Sequence, residues 1–123
     1  MTEGVAPPGW PASVRPPGVP DWERTAVAWL FDSCPPDYRA HDVLRRHPVV
    51  LARFAGVHLQ AGVQAARELV ATLRTGLADV ASPETVEAAL AAAEREGARL
   101  AADARGAALV EAALRGQRFA ARL

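Results

Sequence analysis

Apolar positions recur in alternating steps of four and three along two consecutive stretches of the chain. The first runs Leu59, Val63, Ala66, Val70, Leu73, Leu77 and Val80, and the second Val86, Leu90, Ala93, Gly97, Leu100, Ala104 and Ala107. Such spacing is the heptad seam of a helix packed against another helix. Between the stretches, Ser82-Pro83-Glu84 supplies an N-cap oxygen, a proline suited to the first helical position and an acid at the positive end of the helix dipole. The pattern predicts helical arms over about 48–80 and 83–115, with Gly116 as the stop.

Two long helices joined by so short a connection should fold back as an antiparallel hairpin. A turn centred between Ala81 and Ser82 sets Leu77 against Val86, Leu73 against Leu90, Val70 against Ala93, Ala66 against Gly97, Val63 against Leu100 and Leu59 against Ala104. Seam meets seam at each step, and the small residues let the backbones approach. The flanks agree, because this register sets Arg74 near Glu87 and Arg67 near Glu94. Like charges there would have opposed it.

Upstream, Asp21 after Pro20 reads as the N-cap of a shorter helix over about 21–34, with Trp22, Ala26, Trp29, Leu30 and Ser33 on one face. Pro35 and Pro36 stop it, since neither supplies an amide donor. A corner over 35–47 follows, in which Asp37 or His41 and Asp42 cap a short turn before Pro48 opens the first arm. Residues 1–20 carry PPGWP and PPGVP among six prolines, which reads as a disordered Pro-rich leader outside the folded unit. The expected architecture is all-α: a long antiparallel, coiled-coil-like hairpin with the shorter N-terminal helix packed at its base. Residues 21–116 form a single helical domain, and 117–123 a basic tail.

Composition sharpens this picture. A chain of 123 residues that is 50% hydrophobic but only 6% aromatic builds its core from small side chains in closely packed helices. Fourteen basic residues balance fourteen acidic ones, so no overall field favours nucleic acid or an anionic bilayer. Cys34 is the sole cysteine and no secretory-type segment opens the sequence, which makes a reducing, cytoplasmic setting the expectation. No apolar run reaches the roughly 20 residues of a membrane span.

Chemistry-bearing residues concentrate between Cys34 and Pro48. Pro35, Pro36 and Tyr38 have the PPxY form of the ligands bound by WW domains, although the prolines also have a structural role as helix stops. Cys34, His41 and His47 are the candidates for a small thiol or metal-dependent enzyme. His41, Asp42, His47 and His58 nevertheless lack metal-motif spacing and cysteine partners, so neither catalytic residues nor metal or cofactor ligands are assigned. Arg115, Arg118 and Arg122 with Phe119 give the tail a second alternative, weak attachment to nucleic acid or a membrane surface.

The flank of the seam opposite the paired charges carries Gly62, Leu69, Gly76 and Ala89. This smooth edge fits either the N-terminal helix, a second copy of the hairpin or a partner helix. The expectation is therefore a non-enzymatic protein-interaction module, self-associating as a possible homodimer or docking a partner. The string PPDYRAHDVLRRHPVVLARFA and the hairpin after it resemble a group of short helical proteins of high-GC bacteria with no assigned activity. That resemblance spans about Val19 to Leu123, implies one folded unit and implies no function.

Overall fold

A computed structural model describes residues 5–117, and the described residues contain helices without strands. Helix α1 spans Trp22–Asp32, a 3-10 turn spans Pro36–Ala40, α2 spans Asp42–Arg46, α3 spans Pro48–Gly76 and α4 spans Pro83–Leu114. The two long helices form the hairpin, with α1 and α2 packed on its base.

The hairpin register follows from side-chain size. A Cβ added to Gly97 would lie 3.2 Å from Cβ of Ala66, so these small residues face each other at a close approach of the backbones. Arg74 pairs with Glu87 at 2.9 Å on the expected flank. Arg67 and Glu94, expected to pair one heptad away, make no ion pair within 4 Å; Glu94 instead adds to the field on Arg74. The first arm ends at Gly76, four residues before the expected limit, and Leu77 to Val80 form the turn. Ser82 caps α4 as expected, its hydroxyl accepting from the Thr85 amide at 3.2 Å. At the far end Gly116 takes a left-handed φ of 87°, Gln117 N–H donates to the Ala112 carbonyl and Gly116 N–H to that of Ala113, which closes the helix in a Schellman turn.

Two other caps differ from expectation. Asp21 precedes α1 with φ 67°, a left-handed conformation that keeps its carboxylate off the first amides; that carboxylate lies 3.8 Å from Arg24. His41 precedes α2 without a side-chain cap, and Asp42 is drawn to Arg45 and Arg46 instead.

The core is concentrated at the base. Ala26, Leu30 and Phe31 of α1, Leu44 of α2, Leu51, Ala55 and Leu59 of α3, and Ala104, Ala107 and Val110 of α4 form one buried cluster. It reaches no further along the hairpin than Leu59 and Ala104. Beyond it, Val63, Ala66, Val86, Leu90 and Ala93 are buried by the pairing of α3 with α4.

The leader is the largest correction. Residues 5–20 pack on the base, and Val14 is 4% exposed within the core cluster. The two proline-glycine repeats make turns. Trp10 N–H donates to Pro7 and Val19 N–H to Pro16, with Gly9 and Gly18 at φ near 89° and 88°, the positive φ that a type II turn requires at its third residue. Trp10 then stacks obliquely on Trp22 at 6.1 Å and donates its indole N–H to the Val14 carbonyl. The prolines thus pre-set turns and lower the entropy lost on folding, an effect opposite to the disorder expected of them. Residues 1–4 lie outside the described residues, as do 118–123, so the expected role of Arg118, Phe119 and Arg122 in a basic tail falls there.

Two glycines test this packing. A Cβ on Gly106 would sit 2.9 Å from Cγ of Pro11 and 3.3 Å from the Trp29 ring, whereas one on Gly56 would meet nothing within 4 Å. Gly56→Ala should raise stability by about 0.5–1 kcal/mol through helix propensity. Gly106→Ala should lower it by about 1–3 kcal/mol through overpacking, and part of that loss should vanish in a Pro11→Ala background. Urea titration of the four variants measures both signs; a stabilising Gly106→Ala would mean that the leader does not dock.

Candidate functional site

The corner places its chemistry-bearing groups apart. Cys34 is buried in the base cluster, and burial pushes its thiol above the ordinary value, only partly countered by the nearby Arg39 guanidinium. A thiol nucleophile needs the opposite shift. His41 and His47 are exposed at the two ends of α2, and no group of three or more His, Cys, Asp or Glu side chains converges among the described residues.

Pro35 has the φ and ψ of a polyproline helix, but Pro36 to Ala40 turn into a 3-10 helix in which Tyr38 N–H donates to the Pro35 carbonyl. The Tyr38 ring lies edge-on to Phe54 and to His58, each at 6.0 Å, one helical turn apart on α3. In this arrangement the tyrosine packs the corner onto α3, and the extended backbone a WW-type groove accepts is absent from Pro36 onward.

The hairpin flanks are the remaining surface with a distinct character. On one flank, Arg74 binds Glu87, and at the base Arg53 donates twice to Glu111, with distances of 3.2 and 2.8 Å. Arg115 binds the same Glu111 carboxylate, whose side chain is 16% exposed. Beside this cluster, Gly56, Ala104 and Ala108 floor a shallow groove of about 290 Å³, rimmed by Val57 and Gln60.

The opposite flank is divided between base and tip. Pro11 and Trp29 sit over Gly106, and α1 occupies the base. Further along, Gly62 is half-buried, with Leu100 Cδ1 3.1 Å from where its Cβ would be, so Gly62 belongs to the intrachain contact and drops out of the bare edge. Leu69 is 49% exposed, Gly76 has open space beside it and Ala89 is half-buried. Val70 and Val80, assigned to the seam by spacing, are also exposed, Val80 at 74%. Two helices alone cannot enclose an apolar stripe wider than their line of contact, and the third layer ends before it reaches them.

Comparison with protein-family models, with curated proteins and with solved structures finds no match.

Two outcomes check these assignments. Cys34 should react with iodoacetamide far more slowly in the native protein than in urea, at a rate that follows local opening; equal rates would place the thiol at the surface. Hydrogen bonds, first from Arg53, hold the Glu111 carboxyl below the usual carboxylate range. Its contribution to stability is complete above an unfolded-state value of about 4.3 and is lost as pH falls through the lower folded value. Arg53→Gln should therefore flatten the acid limb of a urea-midpoint profile, whereas parallel limbs would show that the pair adds nothing.

Proposed function

We propose that this protein is a non-enzymatic helical interaction module that docks another helix along the distal half of its hairpin. The observation that carries this reading is the bare apolar edge around Leu69, beyond the reach of α1 and unlike the ion-paired flank across the seam. A helix laid on that edge extends the hairpin towards a bundle and removes exposed leucine and valine from water, the ordinary driving force for helix association. The thiol or metal alternative draws less support, because Cys34 is buried with its pKa raised and no group of three or more His, Cys, Asp or Glu side chains converges among the described residues.

Leu69→Glu tests the reading. Because Leu69 is half exposed, the substitution should shift stability by no more than about 0.5 kcal/mol. It should nevertheless abolish association, read as a drop in sedimenting mass or as loss of a helical partner that the wild type retains. Unchanged mass together with unchanged partner binding would end the proposal.

A further inference from the structure

We infer that the helix docked at Leu69 is α3 of a second copy, running antiparallel about a two-fold axis at Ala65, so that the contact extends from the distal edge back to Phe54 at the base. This rests on the interaction-module reading and names its partner.

The first observation is a stripe along the outer face of α3. Steps of three and four lead from Phe54 through Val57, Ala61, Ala65, Leu69 and Thr72 to Gly76, and every one of these residues is exposed. Phe54, packed edge-on by Tyr38 on one side, is still 45% exposed and Val57 is 64% exposed, so with Leu69 the stripe holds three of the large apolar side chains that the described fold leaves partly in water. Thr72 spends its hydroxyl within its own helix, donating to the Glu68 carbonyl at 2.8 Å, and presents a methyl group outward. Glu68 is the charged residue at the margin.

The second observation is the order of sizes. An antiparallel α3 pair with Ala65 on the axis sets Phe54 against the partner copy's Gly76, Ala61 against its Leu69 and Ala65 against itself. A large side chain meets a small one at two of the three off-axis steps, the third bringing Val57 to Thr72, and at Gly76 there is open space to receive the ring. A two-fold interface requires this kind of self-complementarity. In a parallel pair the same residues would meet their own kind, Phe54 on Phe54 and Gly76 on Gly76.

The third observation is charge. Residues 68–96, the distal part of the hairpin, hold two arginines and six acids, a net charge of −4. The remaining described residues hold ten arginines and seven acids, a net charge of +3. Neutrality of the chain thus hides an axial separation. Antiparallel pairing lays each acidic tip along the other copy's basic base, whereas parallel pairing sets acid beside acid. The stripe is about 33 Å long at 1.5 Å per residue, and one helix packed along it buries on the order of 1,200 Å² in total, the lower end of specific interfaces. The dimer is accordingly weak and exchanging.

Disulfide trapping in a Cys34→Ser background tests the geometry. Ala65→Cys alone should form a covalent dimer on mild oxidation. An equimolar mixture of Ala61→Cys and Leu69→Cys should cross-link to each other at least several-fold faster than either does to itself, and Ala98→Cys on the outer part of α4 should remain monomeric. Sedimentation of the untagged full chain should give a mass that rises with protein concentration and falls with added salt. Preferred Leu69-to-Leu69 cross-linking, or a monomer at all concentrations with no trapping at Ala65, would overturn the inference. If the chain stays monomeric while Leu69→Glu still abolishes binding of a different helix, the second copy is excluded and the interaction-module reading survives. If Leu69→Glu changes nothing in either measurement, both fall.

Discussion

The close approach of α3 and α4 at Ala66 and Gly97 sets the rest of the structure. Only small side chains permit it, and the position of Gly97, where a Cβ would come within 3.2 Å of the facing alanine, fixes which residues meet along the whole seam. Glycine in a helix interior costs about 1 kcal/mol relative to alanine, so its presence there is explained by the contact. From this register follow the Arg74–Glu87 pair on one flank, the bare edge on the other, and the burial of Val63, Val86 and Leu90 by two helices alone.

A hairpin with so little bulk needs support, and it finds it at one end. Trp10, Trp22, Trp29 and Tyr38 pack against the buried cluster where α1, the corner and the N-terminal turns converge. The Ala-rich remainder projects beyond that cluster as a two-helix arm. The enclosed core therefore lies at the base, while exposed apolar side chains run along the outside of α3 from Phe54 to Leu69 and reach Val80 at the tip. Charge is divided along the same axis, with an acid-rich distal half and an arginine-rich base.

Much of this was legible in the sequence, because heptad spacing and the Ser82-Pro83-Glu84 signal are local and strong. The register could be written down from the alternation of large and small residues, and one of its two expected ion pairs forms. The docked leader is not legible in the sequence, since a high proline content favours extended chain in general, while the Pro-Pro-Gly repeats that set the turns act only locally. Asp21 misled for a different reason: its side chain suits a cap, but its backbone is left-handed. Of the edge residues, Leu69 and Gly76 are exposed and Ala89 is half-buried, whereas Gly62 is taken by Leu100, a contact one residue off the expected facing pair. Val70 and Val80 show the limit of periodicity, which marks a seam but not where its third layer ends.

Spin labels at Gln64→Cys and Ala98→Cys in a Cys34→Ser background, diluted with unlabelled protein, probe the fold-back most directly, because both sites are exposed and lie nearly opposite each other across the seam. With helix axes about 8–10 Å apart and two flexible label arms, the distance distribution should centre at roughly 20–30 Å. A distribution centred near 50 Å, the span of a single column running through Pro83 at 1.5 Å per residue, would contradict the account.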